Sequence, residues 1–147
     1  MLRLNDSIIW ERISLELIKG NILKTNLFVK ADNTPQFERI ILLNNNFSQD
    51  NIYYVMATSK TEWYEKYWEK MQYCCVWLDE GTVDLFSLKT VVNCREVPKL
   101  TKLDLFNRYV EGKLKFLGIL PKEILKRIIE TLITSKLIDD DIMKEII

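Results

Sequence analysis

Histidine is absent from this chain of 147 residues, and its absence restricts the chemistry that the protein can perform. A Ser-His-Asp triad, a Cys-His pair and an imidazole general base are all excluded. The commonest protein ligand of zinc is missing as well. Catalysis would have to use arginine, lysine, carboxylates, hydroxyls or thiols, mostly by positioning and charge stabilisation. We therefore expect neither a metal nor a cofactor.

Glycine, proline and long apolar runs are also scarce. Four glycines and three prolines leave no stretch with the composition of a disordered linker. The longest apolar runs have six residues, as in 73–78, whereas a helix that spans a bilayer needs about 20. The N-terminus lacks the charged and apolar regions of a signal peptide. These patterns predict a single domain, 1–147, that is soluble, cytoplasmic and not associated with a membrane.

Cysteine is represented by Cys74, Cys75 and Cys94. An odd number without a secretion signal argues against a disulfide framework. Adjacent cysteines in a strand point to opposite faces, so the first two cannot easily chelate one metal ion. We interpret all three as small buried apolar residues.

Neither sign of charge is in excess, because 21 basic residues balance 21 acidic ones. Charges are mixed along the sequence, without a basic tail or an acidic block. The chain therefore creates no global field that would attract nucleic acid, and any such binding must be local.

Hydrophobic periodicity predicts an α+β fold with five to seven short strands. The predicted strands are 21–29, 37–43, 52–57, 73–78, 82–86, 90–97 and 113–117. The predicted helices begin near Asp6, Lys60, Thr101, Pro121 and Asp139. We expect 82–86 to form a hairpin with the strand before it, and Gly118 to end the last strand. Short strands with tight links are typical of a small curled sheet or barrel.

The order of these elements divides the domain into three parts. A helical extension (1–19) precedes a barrel (20–118), which contains a helical insertion at 60–71, and C-terminal helices (119–147) follow. Within the insertion, helical spacing places five large side chains on one face: Trp63, Tyr64, Tyr67, Trp68 and Met71. Such a stripe ordinarily faces the core or a dimer partner. It is alternatively a platform on which unpaired bases stack, beside Lys60 and Lys66.

The candidate site lies at the ends of two predicted strands. Arg39 precedes the apolar run 40–43, and Thr58 and Ser59 close the run 52–57. If these strands are neighbours, a permanent cation and two hydroxyls meet at one place. A guanidinium offers a planar fork of donors that suits phosphate oxygens, and hydroxyls add further hydrogen bonds.

Several short motifs occur in an order that resembles one family. They are Gly20-Asn21-Ile22-Leu23, Arg39 before a strand, Thr58-Ser59 after the next strand, and Gly118-Ile119-Leu120-Pro121 before a helix. Over roughly 20–135 this order resembles the MazF/PemK family, the SH3-like barrel toxins of bacterial toxin–antitoxin systems. The resemblance implies an SH3-like barrel and a metal-independent endoribonuclease that acts on single-stranded RNA.

The resemblance also implies roles for individual residues. Arg39 matches the catalytic arginine of that family, and Thr58 with Ser59 matches its catalytic hydroxyl pair. The 2′-hydroxyl of the RNA would attack the adjacent phosphorus and leave a 2′,3′-cyclic phosphate and a 5′-hydroxyl. The implied partners are a cognate antitoxin protein and a second copy of the chain, which would form a homodimer.

Other residues near these motifs are weaker candidates. Glu38 either pairs with Arg39 or acts as a general base. Lys24 and Lys60 could hold phosphates, and Trp63 and Tyr67 could stack bases. A non-enzymatic SH3-like protein-binding module, with the aromatic helix as its recognition surface, is the alternative function. A purely structural dimeric partner is a third.

Overall fold

The computed structural model describes residues 4–29 and 35–147. Within these ranges the strands are β1 (Asn21–Val29), β2 (Pro35–Leu42), β3 (Asn51–Thr58), β4 (Cys75–Leu78), β5 (Thr90–Asn93), β6 (Lys99–Thr101) and β7 (Leu114–Ile119). The helices are α1 (Leu4–Glu16), α2 (Glu62–Lys66), α3 (Trp68–Met71), α4 (Lys102–Val110), α5 (Lys122–Ser135) and α6 (Asp140–Ile146). The predicted α+β class is confirmed.

The strands form one antiparallel sheet in the order β4-β5-β3-β2-β1-β7, and β6 pairs with the start of β3. β4 and β7 are the two edges, so in the described part of the chain the sheet is not closed into a barrel. β2 is central and lies between β1 and β3. This position matters for the candidate site because Arg39 belongs to β2.

Each face of the sheet has its own hydrophobic cluster. Consecutive strand residues alternate between the faces, and Ile22 and Leu23 accordingly belong to different clusters, as do Ile40 and Ile41. The first cluster packs the sheet against α5 and α6; its buried members include Ile22, Ile41, Val55, Ala57, Phe86, Ile128 and Ile146. The second packs the other face against α4; its buried members include Leu23, Ile40, Tyr54, Leu105 and Leu114.

The predicted hairpin between 73–78 and 82–86 is wrong. β4 pairs with β5 instead, and 79–89 is a loop of turns. In this loop the N–H of Thr82 donates to the carbonyl of Asp79 (3.1 Å), and that of Phe86 donates to the carbonyl of Val83 (2.9 Å). Val83 and Phe86 are both buried in the first cluster. In a strand, Val83 and Phe86 would point to opposite faces because they are three residues apart. The turn allows both side chains to pack into the first cluster.

The predicted end of the last strand is also wrong, because β7 continues through Gly118 to Ile119. Gly118 has φ +144° and lies opposite Ile22, where the register of β1 and β7 shifts. A Cβ at this position would lie 3.1 Å from Leu85 Cδ1, so glycine permits the close approach of the 79–89 loop. The predicted strand 90–97 likewise ends early, at Asn93, and β6 follows it.

The three cysteines are free and buried, as predicted. Burial raises the pKa of Cys75 to about 12 and raises that of Cys94 as well. Both thiols therefore remain protonated at neutral pH and pack as apolar groups. No helix in the described part of the chain is long and apolar enough to cross a membrane.

α4 begins near Thr101, as predicted, with a capping box. The N–H of Asp104 donates to Thr101 Oγ1 (3.1 Å), and the N–H of Thr101 donates to Asp104 Oδ2 (3.0 Å). The bond from the Thr101 N–H lowers the pKa of Asp104, and the positive charge of Arg108 lowers it further. The ionised carboxylate is therefore favoured by folding.

We expect Asp104→Asn to lower the free energy of unfolding by about 0.3–1 kcal/mol at pH 7, because the charge at the helix N-terminus is lost. The folded pKa of Asp104 lies below its unfolded value, so its contribution is complete above the unfolded pKa, about 3.9. It disappears as the pH falls through the folded pKa. Urea denaturation should therefore separate wild type from Asp104→Asn at pH 7 but not at pH 2. A constant difference at both pH values would contradict this account.

Candidate functional site

Antiparallel pairing places the predicted arginine beside the end of β3. Arg39 in β2 lies opposite Ala57 in β3 on one side and opposite Lys24 in β1 on the other. Thr58 and Ser59 follow Ala57 directly. β2 and β3 are therefore neighbours, which is the condition for Arg39 and the two hydroxyls to share a site.

A cavity of about 160 Å³ opens at this end of β3. Its lining residues are Lys24, Phe37, Glu38, Arg39, Ala57, Thr58, Ser59 and Lys60. Six of the eight predicted site residues thus meet in one cavity. Trp63 and Tyr67 are not among the lining residues.

The guanidinium of Arg39 lies over an aromatic ring. Arg39 and Ile41 are two residues apart in β2, so both side chains lie on the face of the first cluster. There the guanidinium carbon of Arg39 is 5.8 Å from the centroid of the buried Phe86 ring. Nε of Arg39 is buried and has no hydrogen-bond partner in the described part of the chain. A buried donor on a cation is costly when it is left unpaired.

The two hydroxyls of the site have different surroundings. Thr58 Oγ1 accepts a hydrogen bond from the N–H of Lys60 (3.0 Å) and so fixes the turn that leaves β3. By strand alternation, Thr58 lies on the face opposite to Arg39 and Ala57. Ser59 follows the last residue of β3 in a bend, is half-buried, and has no hydrogen-bond partner within 4–29 and 35–147. Ser59 is therefore the hydroxyl better placed to share a ligand with Arg39.

Glu38 lines the same cavity but alternates to the face of Thr58. Burial raises the pKa of Tyr64, the positive charge of Arg95 opposes this shift, and the negative charges of Glu38 and Glu96 add to it. Glu38 thus lies near the start of the aromatic insertion. Lys24 and Lys60 line the cavity with exposed side chains.

The aromatic insertion is two short helices, α2 and α3, that meet at Tyr67. The core-facing interpretation is wrong for three of its rings, because Trp63, Tyr67 and Trp68 are 48%, 40% and 47% exposed. The rings pack on one another instead: Trp63 lies 5.1 Å from Tyr67, and Trp68 lies 4.8 Å from Trp77 of β4. We call these four residues the aromatic surface.

Three basic side chains lie over rings of the aromatic surface. Arg95 lies 5.6 Å from the centroid of Trp63, Lys66 5.5 Å from that of Tyr67, and Lys89 5.6 Å from that of Trp77. Aromatic faces bordered by cations can bind unpaired bases and phosphates, but the same residue types also dominate protein interfaces.

Two residues of the site were not predicted from the sequence. Phe37 lines the cavity and is 45% exposed, and Phe86 supports Arg39 from the 79–89 loop. Phe37 could have been found, since it precedes Glu38 and Arg39. Nothing in the local sequence around Phe86 indicates contact with a residue 47 positions earlier.

The chain matches no protein-family model and no curated protein sequence. Among the described residues, no three histidine, cysteine or carboxylate side chains are grouped so that they could hold a metal ion. The lining of the cavity consists instead of cations, hydroxyls, one carboxylate and one aromatic ring. Such a set can bind a phosphodiester and stabilise added negative charge on it.

Proposed function

We propose that the protein is a metal-independent endoribonuclease that cleaves single-stranded RNA. The observation that carries the proposal is the shared cavity, in which Arg39 and Ser59 come together beside Lys24 and Lys60. A phosphate in this cavity would meet the guanidinium of Arg39.

The lining residues suit an internal transesterification. The 2′-oxygen attacks the adjacent phosphorus and loses its proton to Glu38, and the bond to the 5′-oxygen breaks. Arg39 and Ser59 donate hydrogen bonds to the non-bridging oxygens, whose charge increases in the transition state. Lys60 supplies a proton to the departing 5′-oxygen. The products are a 2′,3′-cyclic phosphate and a 5′-hydroxyl.

The biological setting is part of the same proposal. The chain would be the toxin of a bacterial toxin–antitoxin system, cytoplasmic, with an SH3-like fold related to the MazF/PemK family. Its two glycine motifs support this relation, because Asn21 of the first pairs with Ile119 of the second. A homodimer and a cognate antitoxin complete the proposal.

The test uses an RNA of about 20 nucleotides labelled at both ends, incubated with the protein in EDTA. We expect cleavage, a 2′,3′-cyclic phosphate at the new 3′ end, and no reaction when the nucleotide before the cut carries 2′-deoxyribose. The 2′-deoxy substrate is the matched control, since it removes the nucleophile alone. Cleavage of that substrate, or a 3′-hydroxyl product, would exclude the proposed chemistry.

The exposed aromatic surface favours a second candidate function, a non-enzymatic protein-binding module. Tryptophan, tyrosine and arginine are the residues that contribute most to protein interfaces, and Trp63, Tyr67 and Arg95 are grouped there. The same incubation separates the two functions. Intact RNA in the presence of the folded wild-type protein would favour the binding module.

A further inference from the structure

A row of basic side chains crosses three adjacent strands. Lys24 of β1 lies directly opposite Arg39 of β2 and directly opposite Lys115 of β7. Residues that lie opposite each other in antiparallel strands share a face, with Cβ atoms about 4.5–5.5 Å apart. The row therefore spans two strand spacings, about 10 Å from Lys115 to Arg39. We call these three residues the basic row.

The basic row contains no ion-paired residue within 4–29 and 35–147. Like charges that lie directly opposite each other destabilise a sheet. The chain has as many acidic residues as basic ones, yet none of its carboxylates occupies a position in this row. An anionic ligand along the row would reduce this repulsion.

The basic row also connects two cavities. The site cavity of about 160 Å³ and a second cavity of about 240 Å³ share Lys24 and Phe37. The second cavity extends over β7 and is lined in addition by Gly112, Lys113, Leu114 and Lys115. Phe37 is 45% exposed where the two cavities meet. The two cavities therefore adjoin at Lys24 and Phe37, and we call them together the groove.

We infer that this groove holds the RNA backbone on one side of the cleaved phosphate. Lys24 and Lys115 each contact a successive phosphate, and Phe37 stacks on the base between them. The inference rests on the proposed function, because Arg39 at the end of the row is the group that acts on the cleaved phosphate. Lys115 is then a binding residue outside the catalytic cavity.

The test measures binding separately from cleavage. An RNA with 2′-O-methyl groups throughout cannot be cleaved, so its dissociation constant can be measured between 50 and 200 mM salt. Each phosphate contact contributes about 0.7 to the slope of log affinity against log salt for a single strand. We expect Lys115→Ala to reduce the slope by about 0.7, and Lys24→Ala with Lys115→Ala to reduce it by about 1.4. Affinity should fall roughly three- to tenfold for Lys115→Ala.

The matched control is Lys126→Ala, an exposed lysine on α5 whose ion pair with Glu130 is long, 4.0 Å. Its slope should equal that of wild type. Lys115→Arg keeps the charge and should restore the slope. For cleavable RNA, Lys115→Ala should raise KM and leave kcat within about twofold.

Three results would bear on the inference. Salt dependence that requires Lys115, even with no cleavage of ordinary RNA, would support the groove and reject the nuclease. Cleavage with equal slopes for Lys115→Ala and Lys126→Ala would reject the groove and leave the nuclease intact. Binding of an acidic peptide through Lys115, without binding of RNA, would reject the assignment to nucleic acid.

Discussion

Replacement of Arg39 with lysine is expected to lower the rate of RNA cleavage by about 10²–10³-fold, which corresponds to roughly 2.7–4 kcal/mol of transition-state stabilisation. Lysine keeps the positive charge but lacks the planar fork that contacts two phosphate oxygens. The effect should appear in kcat, because the lost bonds are strongest in the transition state. Single-turnover cleavage of a labelled RNA in EDTA measures it.

The control for this prediction is Arg12→Lys, the same substitution at an arginine of α1 that forms an i,i+4 ion pair with Glu16. Its rate should remain within about twofold of wild type. Arg39→Lys also weakens the contact with Phe86, at a cost of about 0.5–1 kcal/mol, so both variants are assayed well below their melting temperatures. A folded Arg39→Lys protein with the wild-type rate would eliminate Arg39 as the catalytic cation.

Replacement of Ile128 with alanine is expected to have the largest effect on stability. Ile128 projects from α5 into the first cluster and is 0% exposed. Its truncation removes buried apolar surface and leaves a cavity that the rigid sheet cannot fill, so we expect the free energy of unfolding to fall by about 2–5 kcal/mol. Urea denaturation at neutral pH measures the loss as a lower midpoint with an unchanged slope.

Ile133 provides the control, because it belongs to the same helix and is 44% exposed. Ile133→Ala deletes the same atoms from a surface position, and its effect should lie within about 0.5 kcal/mol of zero. The difference between the two variants isolates burial from helix propensity. Equal losses in the two variants would mean that α5 does not pack on the sheet as the structure places it.

Local chemistry explains which elements could be predicted. Strand β1 has the predicted bounds, 21–29, because Gly20 with its φ of +88° separates it from α1. The start of α4 follows from the capping residues Thr101 and Asp104. In α5 apolar residues recur at helical spacing, and Ile124, Ile128 and Leu132 are buried.

Pairing between strands distant in sequence explains which elements could not be predicted. Residues 82–86 have the composition of a strand, but β5 pairs with β4 and the loop packs Phe86 into the core. A small curled sheet or barrel was expected from the short strands, whereas in the described part of the chain the sheet has two open edges, because the edges depend on which strands pair. Strand composition does not specify pairing partners, since those depend on the whole set of packed faces.

For the candidate site, too, the polar residue types could be predicted from the sequence but their arrangement in space could not. The polar residues of the site were predicted from the sequence as a strand-end arginine with an adjacent glutamate, two hydroxyls and nearby lysines, because side-chain chemistry belongs to the residue itself, whereas Phe37 and Phe86 were not predicted. Their convergence required β2 to lie between β1 and β3, and the basic row required the register that sets Lys24 against both Arg39 and Lys115.

The amino-acid sequence by itself determined the chemical groups available to this protein, the absence of imidazole among them, and the elements whose signals are local. The tertiary structure alone decided that Phe86 supports Arg39 and that three cations align in register. The physical reason is that contacts between distant segments arise from strand register and core packing. Register and packing are properties of the whole folded chain and cannot be predicted from any one segment.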